Sequence, residues 1–380
     1  MYLMYKDTEV LYFDLNDYVV NIVNRDLLPY SLRGYSFDNQ TMKDLMKNVE
    51  LIKTYLSSRV LSISRANAKQ ILTLFQLEQR MDINVRVDIC IKCRGVSIQD
   101  SYWVKKDNDT IKWEQINIRK NHFKDIVDIS LNGNQPTITV NPICPELTTK
   151  GMYPKGWIRD DDTLYLLKTD KLIGSNVNTR MEVLASKILR CFNIDSVEYT
   201  GRLRNTTNGK VYVNKSECYV TEEYSYVEAW ELMEYCRLKG MDYESYCLNK
   251  FGIQFANIPV IDFLLINTDR HTENYSFKMD DKGDLVGVGI LYDFNNALVS
   301  DYFRKTGIED TMSQMFNKHE SIKECMLRYL PYSNIQFDRK AFIRQRENSK
   351  EYKYIYDRVL ERLDYINTIK FQYKPTRSVN

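Results

Sequence analysis

The chain has 380 residues, of which 43% are hydrophobic and 27% are charged, and its formal net charge is +2. This length predicts two or three domains, each large enough to bury a core. The small net charge argues against nucleic acid or an anionic membrane surface as a direct partner. No apolar run in the sequence approaches the ~20 residues of a membrane span, and the first residues do not resemble a signal peptide. We therefore expect a cytoplasmic protein.

Residues 1–133 are predicted to form a separate accessory region of mixed α/β structure, whose role the sequence does not define. The helical spacing of apolar residues predicts a helix over residues 42–56, and Ser64 is predicted to cap a second helix. The alternation of apolar and polar residues over residues 83–89 predicts a strand. A cluster of turn-forming residues at 132–136 marks the end of this region.

A second region, residues 134–224, is predicted to be a small β-rich lobe. Its predicted strands cover residues 137–140, 156–159, 164–168, 211–213 and 218–221. Residues 147–156 form a segment that we call the phosphate loop, because Gly151 lets backbone amides approach an anion and Lys155 adds positive charge. The glycine spacing matches neither the Walker pattern nor the kinase glycine-rich loop. By itself the loop predicts no more than a turn.

Lys168 ends an apolar strand, where an inward-pointing lysine is costly unless it meets an anion. Protein kinases use such a lysine to hold the α- and β-phosphates of ATP, and a glutamate from the next helix braces it. Glu182 stands near the start of the following predicted helix. Glu222 and Tyr224 lie where the hinge between two kinase lobes would pair with adenine. These positions predict a nucleotide site only in combination with catalytic residues farther along the chain.

Residues 225–380 are predicted to form a large helical lobe that carries the catalytic residues. An apolar helix is followed by Asp269 and, after four intervening residues, by Asn274, and Asp293 follows a later strand-like segment. Phosphoryl transfer needs one carboxylate that accepts the proton of the attacking hydroxyl, and an amide oxygen and a second carboxylate that hold metal ions. The spacing is that of a kinase catalytic loop and its metal-binding aspartate. The predicted fold class is α+β, a bilobal protein-kinase-like fold preceded by the mixed α/β region.

The sequence around these residues is similar to one kinase family. Residues 267–277, NTDRHTENYSF, and 292–298, YDFNNAL, resemble the C-terminal catalytic domain of the HipA family of bacterial toxin-type serine/threonine kinases. The resemblance extends over most of the two predicted lobes. Two features differ from many other kinases. Arg270 and His271 follow the catalytic aspartate instead of preceding it, so a bracing role is not implied for them, and Asn295 replaces a common glycine.

The resemblance implies an ATP- and Mg²⁺-dependent kinase with a eukaryotic-like bilobal core. Asp269 and Asn274 would be catalytic, and Asn274 and Asp293 would bind Mg²⁺. The residues expected at the nucleotide are Gly151, Lys155, Lys168, Glu182, Glu222 and Tyr224. The family can autophosphorylate the phosphate loop, where Thr148 and Thr149 lie in this chain. The expected partners are a protein substrate with a serine or threonine acceptor and an antitoxin or DNA-binding regulatory protein, with no membrane and no direct nucleic-acid binding.

Two other interpretations remain open. A small-molecule kinase of the aminoglycoside or choline type shares the aspartate and asparagine spacing, but such kinases usually have a histidine before the aspartate, and residues 267–268 do not supply it. An acidic acceptor pocket in the large lobe would favour this interpretation. A non-catalytic nucleotide-binding module could contact DNA or a DNA-binding partner through its N-terminal helices. This interpretation is disfavoured because the chain has all of the residues that catalysis would need: Lys168, Asp269, Asn274 and Asp293.

Overall fold

The computed structural model describes residues 1–80, 82–134, 141–170, 175–206, 209–316 and 318–372. The predicted strand at residues 137–140 lies outside the described residues. Strands and helices alternate in the first half of the chain, whereas helices dominate the second half. This distribution agrees with the α+β class predicted from the sequence.

The secondary-structure elements are numbered in chain order. The strands are β1 (Tyr2–Tyr5), β2 (Thr8–Asp14), β3 (Val19–Ile22), β4 (Tyr102–Lys105), β5 (Lys155–Asp160), β6 (Thr163–Lys168), β7 (Tyr199–Thr206), β8 (Gly209–Glu217), β9 (Ser225–Glu228), β10 (Ser276–Met279) and β11 (Leu285–Val288). The helices are α1 (Tyr30–Arg33), α2 (Met42–Ser58), α3 (Ala68–Leu74), α4 (Ile83–Lys92), α5 (Trp113–Ile116), α6 (Val127–Asn132), α7 (Val177–Leu189), α8 (Ala229–Leu238), α9 (Tyr243–Phe251), α10 (Ile253–Leu265), α11 (Val299–Tyr302), α12 (Ile322–Tyr329), α13 (Arg339–Asn348) and α14 (Lys353–Gln372).

The chain divides into two compact units, each assembled from separate stretches of sequence. The first unit contains Met1–Asn176, Arg202–Met241 and Phe277–Val286. The second unit contains Val177–Gly201, Asp242–Ser276 and Gly287–Asn380. The first unit holds most of the strands, and the second holds most of the long helices.

The first unit joins the N-terminal region to the predicted small lobe through a shared core. The N-terminal sheet has the strand order β3-β2-β1-β4, and its neighbouring strands are antiparallel. Trp103 and Trp113 from residues 1–133 pack in one apolar cluster with Trp157 and Tyr226. The two tryptophans therefore stabilise this core, because fully burying a large apolar side chain contributes about 1.5–3 kcal/mol.

A second sheet of the first unit carries the two lysines predicted at the nucleotide. Its strand order is β5-β6-β8-β7. The antiparallel register places Lys155 of β5 directly opposite Lys168 of β6. Residues directly opposite each other in such a pair project from the same face of the sheet. The register therefore brings two cationic side chains to one face.

The second unit is built around α10. The side chains of α10 from Phe255 to Leu265 are all buried, as expected for a helix that is apolar all round. The helix packs against α9, α12 and α14. Arg362 of α14 is buried, donates its Nε–H to the carbonyl of Leu264 at 2.9 Å and pairs with the Asp301 carboxylate. None of the helices in the described part of the chain is long and apolar enough to cross a membrane.

Three local predictions are wrong, each for a physical reason. Residues 83–89 form helix α4, because the Asp82 carboxylate caps the first turn by accepting from the backbone N–H groups of Asn84 and Val85. The residue at the N-cap of α3 is Asn67, in a left-handed conformation, and not Ser64. Residues 218–221 form no strand, although the Cys218 N–H still donates to the Leu164 carbonyl. The helix predicted at 42–56 is confirmed as α2.

Candidate active site

The predicted catalytic loop begins where α10 ends. Ile266 closes the helix in a left-handed conformation with φ of 45°, which is strained for a β-branched residue. The Asn267 N–H donates to the Asp262 carbonyl at 2.8 Å, and the Asn267 side chain donates to the Asp262 carboxylate at 2.9 Å. Asp262 is buried and anchors the start of the loop.

Arg270 links the catalytic loop to the segment that carries Asp293. It is only 2% exposed, and its guanidinium pairs with Asp262 at 3.1 Å. The same group donates to the backbone carbonyls of Asn274 and of Tyr292, the latter at 2.9 Å. Burial lowers the pKa of Arg270, but the nearby Asp262 carboxylate outweighs this effect and raises it. Arg270 therefore stays charged and braces both parts of the site, a role that the sequence did not assign to it.

The three predicted acid and metal-binding residues lie on these braced segments. The Asn274 amide donates to the Asp269 carbonyl at 2.7 Å, and Asn296 donates to the Asp269 carboxylate at 2.9 Å. Asp293 has a left-handed φ of 56°, and its N–H donates to the Tyr199 hydroxyl at 3.3 Å. The side chains of Asp269 and Asp293 are half-buried. Both carboxylates are therefore within reach of solvent and of a ligand.

The donor set fits a magnesium ion. Asn274 and Asp293 offer an amide oxygen and a carboxylate, which are the hard oxygen ligands that Mg²⁺ prefers. The Asn274 nitrogen donates to the protein, so its oxygen is the atom that a metal would contact. Among the residues that the structure describes, no group of three His, Cys, Asp or Glu side chains could hold a metal ion. A metal site here would therefore depend on an amide oxygen besides carboxylates.

Two asparagines outside the predicted set stabilise the same region. Asn178, at the start of α7, donates to the Asn295 carbonyl at 2.8 Å and to the Asn296 side chain at 3.0 Å. Asn296 in turn orients Asp269. Sequence reasoning missed both roles, although Asn296 lies inside the segment that resembles the kinase family. The His271 ring nitrogen accepts from the Glu273 N–H within the loop turn.

The nucleotide residues predicted in the phosphate loop lie in the first unit. Gly151 has φ of +88°, and a Cβ at this position would collide with the Lys155 ammonium. Lys155 and Lys168 are 8% and 5% exposed, and the Lys168 ammonium lies 5.2 Å from the centre of the Tyr153 ring. The positive φ favours glycine at position 151, whereas the Lys155 ammonium could move away from a larger side chain. The structure thus brings Gly151, Lys155 and Lys168 into one region of the first unit.

The hydroxyl groups of both candidate phosphorylation sites donate to backbone carbonyls outside the loop. Thr148 donates to the Val96 carbonyl at 2.8 Å. Thr149 donates to the Pro145 carbonyl at 2.6 Å and accepts from the Trp157 indole at 2.9 Å. Phosphorylation of either threonine would require these hydrogen bonds to break.

The predicted hinge is contacted by the N-terminal region. The Glu222 carboxylate accepts from Arg119 at 2.8 Å and from Asn117 at 2.9 Å, and the Glu222 carbonyl accepts from Lys6 at 3.0 Å. Burial raises the pKa of Glu222, but Arg119 outweighs burial and lowers it. Tyr224 packs against the tryptophan cluster. The hinge side chains are thus held by contacts within the protein itself.

Glu182 is buried on α7 and belongs to the second unit, whereas Lys168 belongs to the first. A buried carboxylate needs a hydrogen-bond donor or a cation. The ion pair between Glu182 and Lys168 stays a prediction.

A separate small cavity lies within the first unit and contains none of the predicted site residues. Its lining includes Arg59, Asp100, Tyr102 and Glu231. Arg59 pairs with Asp100 at 2.8 Å and donates to the Gly95 carbonyl. Ser31 donates to Glu231 at 3.0 Å. The polar groups of the cavity therefore bond to one another.

Glu231 should make the stability of the protein depend on pH. Burial, aided by the charge of Glu228, raises the pKa of Glu231 from 4.5 to about 7. The folded state therefore binds this proton more tightly than the unfolded state, and stability should fall by about 3 kcal/mol as pH rises from about 4.5 to 7. Urea unfolding of Glu231→Gln at several pH values should show a weaker decline over this range than the wild type. An equally steep decline in both proteins would contradict the assignment.

The chain is similar over almost its whole length to a solved bacterial structure. HipA of Shewanella oneidensis MR-1, solved in complex with HipB and its operator DNA, matches with a TM-score of 0.54 and 10% sequence identity, and the match covers 97% of this chain and 99% of that chain. The Helicobacter pylori proinflammatory kinase CtkA matches with a TM-score of 0.43 and 14% identity, over 59% of this chain and 93% of that chain. No family model and no curated protein matches the sequence.

The chain accordingly has a kinase-like α+β fold. More particularly, this is the fold of HipA-like kinases, as the sequence resemblance predicted.

Proposed function

We propose that the protein is an ATP- and Mg²⁺-dependent kinase that transfers the γ-phosphoryl group to serine or threonine hydroxyls of a protein. The observation that carries this proposal is the bracing by Arg270, which bonds Asp262, the carbonyl of Asn274 and the carbonyl of Tyr292. This buried cation thereby orders the segments that carry Asp269, Asn274 and Asp293, the residues that have the spacing of a phosphotransferase. Kinase catalysis rests mainly on such positioning and on electrostatic stabilisation.

In this proposal each residue of the second unit has one role. Asp269 orients the acceptor hydroxyl and takes its proton, and Asn296 keeps the Asp269 carboxylate in place. The oxygens of Asn274 and Asp293 hold Mg²⁺. When bound, Mg²⁺ would neutralise the charge that develops on the transferred phosphoryl group. Arg270 serves as a positioning residue, because the proposal gives it no contact with the substrate.

The residues of the first unit would bind the nucleotide. Lys155 and Lys168 face each other on adjacent strands, an arrangement of like charges that suits a polyphosphate between them. Gly151 leaves room for the phosphates, and Glu182 would brace Lys168. Adenine would bond to the backbone near Glu222 and Tyr224. We accordingly assign residues 134–224 to the small lobe, 225–380 to the large lobe and 1–133 to an accessory region.

We further propose that the protein works with a regulatory partner, an antitoxin or another DNA-binding protein. The support is the solved Shewanella HipA, whose structure includes HipB and operator DNA. Thr148 and Thr149 are our candidates for autophosphorylation, since both lie in the phosphate loop. Because their hydroxyls are hydrogen-bonded, modification would be coupled to opening of the loop.

The test is intact-mass spectrometry after incubation with ATP and Mg²⁺, with casein as a general acceptor protein. We expect a phosphate group on the wild-type chain or on casein. Asp293→Ala should abolish it, because loss of a metal ligand removes several kcal/mol of transition-state stabilisation. Asp364→Asn is the matched control, since Asp364 is an exposed aspartate on α14 outside the site. If wild-type protein transfers no phosphate and shows no calorimetric binding of ATP, the proposal fails.

A further inference from the structure

A buried arginine of the N-terminal region is bonded to the backbone of the phosphate loop. Arg65 is 2% exposed. Its guanidinium donates to the carbonyl of Glu146, immediately before the loop, and to the carbonyl of Thr149 at 3.2 Å. It also donates to the carbonyl of Lys155 at 2.9 Å. One side chain therefore bonds the residue before the loop, a residue near its start and a residue near its end.

The backbone around Arg65 contacts the same loop. The Leu61 N–H donates to the Leu147 carbonyl at 2.8 Å, and the Ala66 N–H donates to the Met152 carbonyl at 3.0 Å. In addition, the hydroxyl of Thr148 in the loop donates to the Val96 carbonyl of the N-terminal region. Residues 61–66 thus run along the loop and bond it at several points.

Burial of a guanidinium carries a cost that needs compensation. Burial lowers the pKa of Arg65 to about 10, and the nearby Glu146 carboxylate partly offsets this effect. Glu146 is itself buried and accepts from the Trp157 N–H at 3.0 Å. A charged group that is removed from water is retained only where its donors are satisfied. At Arg65 the carbonyls of Glu146, Thr149 and Lys155 accept from the two terminal nitrogens, whereas Nε has no hydrogen-bond partner in the described part of the chain. The arginine and the closed loop therefore stabilise each other through these three bonds.

We propose that residues 61–66, centred on Arg65, form a clamp that holds the phosphate loop closed over the nucleotide site. The proposal rests on the proposed ATP-binding function of this loop and gives the N-terminal region a role in it. Arg65 is then a positioning residue: it contacts no nucleotide but sets the fraction of molecules whose loop is ready to bind one. Opening of the clamp would expose Gly151 and Lys155 together with the threonines of the loop.

Hydrogen exchange of the nucleotide-free protein tests the clamp without any activity. The amides of Leu61 and Ala66 are the reporters, because their acceptors are loop carbonyls. In Arg65→Met we expect both amides to exchange at least ~10-fold faster than in the wild type, while the amides of α2 keep their rates. Arg94→Met is the matched control, since Arg94 pairs with Asp109 and bonds the Val104 carbonyl outside the loop. Unchanged exchange at Leu61 and Ala66 in Arg65→Met overturns the clamp.

A variant that is milder than Arg65→Met distinguishes loss of the clamp from general destabilisation of the protein. Thr148→Val removes one hydrogen bond of the loop and leaves the buried charge of Arg65 in place, so it should accelerate exchange at the same two amides roughly fivefold. Faster exchange throughout the first unit, in place of a local change, would count against the clamp.

Calorimetric titration with ATP then tests the role of the clamp. If Arg65 sets the closed fraction, Arg65→Met should raise the ATP dissociation constant in proportion to the loss of that fraction, roughly 10-fold, and lower kcat at saturating ATP much less. Faster exchange with an unchanged ATP affinity would overturn the positioning role. If the wild type binds no ATP, the kinase proposal fails, and the exchange data alone decide whether the clamp exists.

Discussion

Asp269→Asn should lower the rate of phosphoryl transfer by about 10²–10⁴-fold at saturating ATP, the range that a positioned general base contributes. The asparagine keeps the size of the side chain and an oxygen that can accept from Asn296, but it cannot take up the proton of the attacking hydroxyl. Because the proposal places Asp269 at the acceptor and not at the nucleotide, the ATP dissociation constant should change little. Single-turnover rates and calorimetric ATP titrations on the same preparations give the two quantities.

The rate and the ATP affinity together distinguish a residue that acts as a general base from a residue that binds the nucleotide. A fall in rate with unchanged ATP affinity is expected for an interaction made mainly in the transition state. Asp364→Asn, an exposed change on α14, should leave both quantities at wild-type values. If Asp269→Asn transfers phosphate as fast as the wild type, another group takes the proton and our assignment of Asp269 is wrong.

The positions of the catalytic residues could be predicted because they are close together in the sequence. Asp269 and Asn274 lie on one loop, and the apolar run before them predicts the buried helix α10. Arg270 could not be assigned in the same way. Its partners Asp262 and Tyr292 lie eight and 22 positions away, and an arginine in a loop is more often exposed to solvent. Its bracing role could be recognised only from the structure, which shows that Arg270 is buried.

Local sequence patterns predict the wrong element where capping or long-range contacts decide the structure. Residues 83–89 alternate like a strand, but the Asp82 cap and the burial of Val85 and Ile89 on one face favour a helix. The N-terminal region shows a larger effect of the same kind. Arg65 bonds carbonyls that are 81 to 90 positions away, and no sequence pattern reports a contact over that distance.

Arg270→Met should destabilise the protein and also suppress phosphoryl transfer. The change removes the cation beside Asp262, whose carboxylate is buried, and leaves the carbonyls of Asn274 and Tyr292 without this donor. Loss of one partner of a buried ion pair costs about 3–5 kcal/mol. Urea unfolding should therefore show a loss of about this size. An unfolding free energy within 1 kcal/mol of the wild type would contradict the pairing.

The double variant Asp262→Asn with Arg270→Met separates stability from function. Neutralising Asp262 removes the uncompensated buried charge, so the unfolding free energy should recover in part, by about 1–3 kcal/mol relative to Arg270→Met. Phosphoryl transfer should not recover, because the buried guanidinium that bonds the Asn274 and Tyr292 carbonyls is still missing, and misplacement of a reacting group by about 1 Å costs roughly 10²-fold in rate. Recovery of both quantities together would mean that Arg270 acts only by neutralising Asp262. Recovery of stability alone is the result expected of a residue that sets the geometry of the site.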